Sequence, residues 1–189
     1  YSSRRQRQMC IRDRYYNTGM IDGVTTNPTL IYKSGKDPED VYQELIDMGI
    51  PDISMEVVGD ENTMIGEGRR LIKKFGNRQA TIKVPCTVEG LAACRALSDE
   101  GARVNVTLIF SLAQSILAHK SGATYVSPFV GRVDDNSFNG LELIKEITAT
   151  FCTQDVNSTH VLAASLRDVH SVAECFTSVS YTHLRAHET

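Results

Sequence analysis

The feature that most constrains this chain is a rhythm. Six short apolar runs, IDGVTTN (21–27), DISMEVV (52–58), ATIKVP (80–85), RVNVTLIF (103–110), ATYVSPFV (123–130) and HVLAAS (160–165), alternate with longer amphipathic segments. Several runs are near-continuous in Val, Ile, Leu, Ala and Met, the pattern of parallel strands buried on both faces. The segments between them carry readable helix signals. Asp37 with Pro38, Asp60, Thr87, and Ser111 with Gln114 are N-terminal caps. Apolar stripes follow at helical spacing: Val41, Leu45 and Met48; Ile65, Leu71, Ile72 and Phe75; Leu91, Cys94 and Leu97; Leu112, Ile116 and Leu117; Leu141, Ile144, Ile147 and Phe151; Val169, Val172 and Phe176. Gly49, Gly76, Gly101 and Gly122 follow helices, where a left-handed residue ends the turn.

Six strand–helix units with short connections predict an α/β fold with a parallel sheet. An open dinucleotide-binding sheet would place a glycine-rich turn after its first strand. Here that turn reads TTNPT, so a (β/α)8 TIM barrel is the favoured reading. Such a barrel has eight units, typically in about 250 residues, and this chain of 189 shows six, an incomplete barrel.

The charge balance, 20 basic against 23 acidic residues, argues against nucleic-acid and membrane-surface binding. No apolar run reaches the roughly 20 residues of a membrane span. The five cysteines (Cys10, Cys86, Cys94, Cys152 and Cys175) form no CxxC pair, so neither a disulfide framework nor a zinc site is expected and a cytoplasmic location fits. His119, His160 and His170 lack metal-ligand spacing. Residues 1–15 and 177–189 show no periodicity and resemble translated adapter or vector sequence. They are set aside from the barrel segment, 16–176.

Barrel chemistry gathers at the carboxyl ends of the strands. Those ends carry Asn27, Glu56, Lys83, Asn105, Thr107, Ser127 and Ser165, and polar groups on apolar strands need partners. Lys83, between Ile82 and Val84, is the sharpest candidate. Desolvation inside a barrel lowers an ammonium pKa, and a neutral amine attacks carbonyls to form an imine. A buried Lys83–Glu56 ion pair without chemistry fits the same spacing. Arg132 and Arg167, just beyond two strand ends, are either solvated charges or a phosphate clamp. Cys86 reads as a small buried apolar residue.

The motifs GMIDGVTTNPTLI (19–31), ISMEV (53–57), TIKVPCTVEGLAA (81–93), NVTLIFSLAQ (105–114), ATYVSPFVGRVDD (123–135) and VLAASLRD (161–168) together resemble transaldolases, especially the short transaldolase-like and fructose-6-phosphate aldolase branch. The resemblance implies class I Schiff-base chemistry with no metal or cofactor. Sugar phosphates are the implied partners, within the pentose phosphate pathway, and a full-length homo-oligomer is expected. It makes Lys83 the imine-forming lysine, with Glu56 and Thr107 positioning water. Asn27 and Asn105 would bind the dihydroxyacetone hydroxyls, and Ser127, Phe129, Arg132, Ser165 and Arg167 would line the pocket and hold phosphate. Glutamate at 56 and phenylalanine at 129 resemble the transferases, where the aldolase branch tends to glutamine and tyrosine. A non-catalytic sugar-phosphate-binding barrel is the third alternative. One departure concerns the family's first strand, which reads like FLDTA and carries the acid/base aspartate. Asp13 in IRDR stands too close to TTNP to match it. The family's last strand also has no match after Phe176. The chain as it stands is therefore expected to be impaired in turnover.

Overall fold

The structure, a computed structural model, describes residues 22–178. The expectations for residues 1–15, for Asp13 and for residues 179–189 lie outside the described residues. Each parallel strand hands the chain to a helix that packs back on the sheet. In order these are β1 (Val24–Thr25), α1 (Pro28–Lys33), α2 (Pro38–Asp47), β2 (Ile53–Glu56), α3 (Glu61–Phe75), β3 (Ala80–Pro85), α4 (Val88–Asp99), β4 (Arg103–Ile109), α5 (Leu112–Lys120), β5 (Tyr125–Pro128), α6 (Val130–Asp134), α7 (Gly140–Thr153), β6 (His160–Val161) and α8 (Val169–Thr177). The strands lie side by side in chain order, β1 to β6, and all pairs are parallel. A doubly wound sheet reverses direction at a switch point. This one never does, which is the winding of a (β/α)8 barrel, with six of its strands among the described residues.

Local chemistry explains where the helices start. Asp37 accepts from the Glu39 amide, Asp60 from Thr63, Thr87 from Gly90, and Asp168 from Ser171. Each satisfies an amide that the first helical turn cannot. At α5, Ser111 accepts from Gln114, while the Gln114 side chain accepts from the Phe110 amide, one residue before the cap. Gly49, Gly76, Gly101 and Gly122 all have positive φ, as their positions after helices require.

Several expectations are corrected. The sheet faces are not uniformly apolar. Ile53, Met55, Ile82, Val84, Val104 and Val106 belong to the apolar core shared with the helices, together with Val41, Leu45, Met64, Leu71, Leu97 and Ile144. Each such side chain stabilises the fold by roughly 1.5–3 kcal/mol. The alternate strand positions are polar and pair with one another across the sheet. Two short helices were unforeseen, α1 within NPTLI and α6 at Val130, where the fifth strand ends early because Phe129 and Val130 turn out of it. On α5 it is Ser115 and Ala118 that are buried, while Leu117 is exposed, because the sheet is approached by the small side of that helix. On α8 Val169 and Phe176 are 85% and 71% exposed, and Cys175 supplies the buried contact.

Candidate functional site

The polar faces of the strands form three tiers. At the amino ends, Asp52 accepts from Thr81 (2.6 Å), Arg103 (2.9 Å) and the Tyr125 hydroxyl (2.9 Å), tying four strand starts to one carboxylate. In the middle, Asn105 Nδ2 donates to Ser54 Oγ (3.2 Å), and its Oδ1 accepts from Ser127 Oγ (2.8 Å). At the carboxyl ends stand Glu56, Lys83 and Thr107. Parallel register sets Glu56 beside Lys83 on the neighbouring strand, so both side chains share one face.

Lys83 is 3% exposed. Its Nζ donates to Glu56 Oε2 at 3.0 Å and to the Thr26 carbonyl at 3.2 Å. The Glu56 side chain retains 13% exposure. Thr107 is 1% exposed, and its hydroxyl has no hydrogen-bond partner among the described residues. A buried hydroxyl in that condition costs about 1–3 kcal/mol. Its aim follows from a break in β4: the register with β5 shifts between Val106 and Ile109, and Leu108 there has φ of 60°. Bulges of this kind re-aim side chains near active sites. A cavity of about 10 Å³, room for about one water, is lined by Thr25, Lys83, Thr107, Ser127, Phe129 and Leu162. Glu56 instead borders a second cavity, of about 170 Å³, with Pro28, Asp37, Tyr42, Glu67 and Arg70. The Lys83–Glu56 pair therefore bridges two compartments.

The remaining candidates divide. Phe129 covers the small cavity, its ring 5.9 Å from that of Phe110, and the Arg132 guanidinium lies 5.3 Å from its centre. Arg167 binds Asp135 through both terminal nitrogens, at 2.5 Å each. The Arg167 guanidinium, with a smaller contribution from Arg132, holds the Asp135 carboxyl below the usual carboxylate range. Ser165, buried in a left-handed turn with φ of 58°, turns the chain from β6 towards Arg167, and its carbonyl accepts from Gly131. Arg132 and Arg167 thus share a rim through α6. Asn27 and Asn105 are already engaged. The Asn27 side chain accepts from the Leu30 amide as the cap of α1, and Asn105 is wholly buried between Ser54 and Ser127. Cys86 is half-buried, and burial pushes its thiol pKa up, which keeps it a protonated thiol at neutral pH.

Thr26, Asp52 and Asp135 escaped the reading of strand ends. A period of two was the signal that could have found the amino-terminal tier: Asp52, Ser54 and Glu56; Thr81 and Lys83; Arg103, Asn105 and Thr107; Tyr125 and Ser127 each alternate with apolar residues. Among the described residues no helix is long and apolar enough to cross a membrane, and no group of three or more His, Cys, Asp or Glu is placed to hold a metal ion.

The family model and the similar curated proteins point to one group. The family model described as Transaldolase/Fructose-6-phosphate aldolase matches residues 6–182. A "Probable transaldolase" from Paracoccus denitrificans is 50% identical over 157 residues, covering 82% of this chain and 71% of the relative. Another from Cereibacter sphaeroides is 50% identical over 158 residues, covering 83% and 71%. Among solved structures, a mandelate oxidase aligns with a TM-score of 0.56 at 14% identity, covering 76% of this chain and 52% of its own. A flavocytochrome b2 with pyruvate bound aligns with 0.58 at 10% identity, covering 76% and 46%. This chain spans about half the length of those two, and at such identity the likeness concerns the fold alone.

Proposed function

Since the chain belongs to the transaldolase/fructose-6-phosphate aldolase family, we propose that it transfers a dihydroxyacetone unit from a ketose phosphate to an aldose phosphate through an imine on Lys83. The observation that carries the reading is an amine buried at a strand end, within hydrogen-bond reach of a carboxylate and beside a buried hydroxyl that has no partner among the described residues. Glu56 receives the ammonium proton across the 3.0 Å bond, and the neutral amine attacks the ketone. The carbonyl oxygen leaves as water by taking the proton that Glu56 received, and the Thr107 hydroxyl on the wall of the Lys83 cavity holds that water. The resulting iminium draws electrons from the bond between the third and fourth carbons as a base takes the proton of the fourth-carbon hydroxyl. The aldehyde phosphate departs and the enamine stays on Lys83. An incoming aldehyde phosphate takes up the enamine, and hydrolysis frees the new ketose. Phe129 supports transfer over release, because an apolar wall offers no hydroxyl to deliver a proton to the waiting enamine. Cytoplasmic sugar-phosphate metabolism is the setting this reading implies.

Borohydride reduction in the presence of fructose 6-phosphate tests the proposal. The expected result is a stable dihydroxyacetone-derived mass on the peptide containing Lys83, lost in Lys83→Met. The same 3.0 Å ion pair also fits a second reading, a barrel that binds sugar phosphates without turnover. Folded protein that binds fructose 6-phosphate yet shows no adduct would favour that reading.

A further inference from the structure

We propose that Asp135 acts as a phosphate surrogate: its carboxylate competes with the phosphate of a sugar phosphate for the Arg167 guanidinium, and so sets how tightly phosphorylated substrates are held. The proposal deepens the function above and rests on it for the identity of the phosphate carrier. Two parallel bonds of 2.5 Å join Asp135 Oδ1 and Oδ2 to Arg167 NH1 and NH2. That is the fork through which a guanidinium takes a phosphate, whose second charge and third oxygen the carboxylate lacks. The pair is open to solvent, with the Arg167 and Asp135 side chains 48% and 52% exposed. Exposed pairs are weak, and this one is accordingly displaceable.

The surroundings are shaped for the guanidinium. A Cβ at Gly131 would lie 2.7 Å from Arg167 Nε and 2.5 Å from the Ser165 carbonyl oxygen, so glycine there lets the arginine cross α6. Arg132, one residue on, rests over the Phe129 ring that lines the Lys83 cavity. Among the described residues, the rim beside Phe129 therefore carries two cations, Arg132 and Arg167, with the Asp135 carboxylate competing for one of them. A carboxylate in that position keeps Arg167 pointed at the rim and makes phosphate binding an exchange of partners.

Titration with inorganic phosphate, followed by calorimetry, tests the exchange. In Asp135→Asn the dissociation constant should fall roughly two- to fivefold, the scale of one exposed ion pair. Asp135→Glu, which keeps the charge, should stay close to the unaltered protein. In the unaltered protein, saturating phosphate should shift the Asp135 carboxyl carbon resonance as the pair opens. Weaker or unchanged phosphate binding in Asp135→Asn, or no resonance shift, would overturn the proposal and make the carboxylate a brace for Arg167. Borohydride trapping separates this from the broader reading. Phosphate exchange without an adduct on Lys83 would remove the imine chemistry and leave the surrogate standing. An adduct with unaltered phosphate affinity would do the reverse.

Discussion

Thr107 sets stability against function at a single atom. Its buried hydroxyl has no partner among the described residues, so Thr107→Val should raise stability by about 1 kcal/mol, measured by urea unfolding. The same change should slow borohydride-trappable imine formation roughly tenfold or more, if the hydroxyl holds the departing water. A slower reaction without a stability gain would mean that the hydroxyl has a partner after all. Glu56 differs because its partner is charged. Glu56→Gln removes the carboxylate that pairs with buried Lys83 at 3.0 Å, and loss of one member of a buried pair costs about 3 kcal/mol. Adding Lys83→Met should recover much of that loss, and the double-mutant cycle measures how much. Burial pushes the Cys94 thiol up to about 11. At pH 8 an alkylating agent should therefore label exposed Cys152 well before Cys94, with the order read by peptide mass.

Helices offer two contrasting glycines. Gly90 lies in the first turn of α4 where it meets the end of β3, and a Cβ there would fall 1.9 Å from the Pro85 carbonyl oxygen. Gly90→Ala should cost about 3 kcal/mol by forcing α4 away from the strand that carries Lys83. Gly66, exposed on α3, has nothing within 4 Å of an added Cβ, so Gly66→Ala should stabilise by about 0.5–1 kcal/mol. Chemical unfolding of the two variants compares them directly. The cap of α3 predicts a pH effect. The Thr63 amide lowers the Asp60 pKa from 3.8, so the folded state favours the carboxylate. The contribution is present above the ordinary carboxylate range and lost as pH falls through the lowered folded value. Between pH 5 and pH 2 the urea midpoint should drop less in Asp60→Asn than in the unaltered protein.

At the scale of the molecule, six parallel strands enclose a polar interior divided by task. The Asp52 tier joins β2, β3, β4 and β5 at the end away from Lys83. Asp52→Ala would remove the acceptor that Thr81, Arg103 and Tyr125 share. It should destabilise by about 2–3 kcal/mol, reduced from the cost of a fully buried pair because Arg103 is 30% exposed. Folded Asp52→Ala should still form the Lys83 adduct, since conservation of structure and of chemistry are assigned to opposite ends of barrel strands. Loss of the adduct from folded protein would show that the two ends are coupled.

The order of strands and helices, the caps at Asp37, Asp60, Thr87 and Ser111, and the placement of Lys83 at a strand end were legible in the chain, because periodicity and capping act over a few residues. The stripe Val169, Val172 and Phe176 misled, since amphipathic spacing reports a face but not whether anything covers it. Tertiary structure decided which polar groups meet. Lys83 finds Glu56 across 27 residues, Arg167 finds Asp135 across 32, and Tyr125 finds Asp52 across 73. It also decided that Thr107 faces the cavity with no hydrogen-bond partner among the described residues, through a bulge no local signal announced. Spacing fixes the direction of a side chain relative to its own strand, whereas its partner depends on register between strands, which only the assembled sheet supplies.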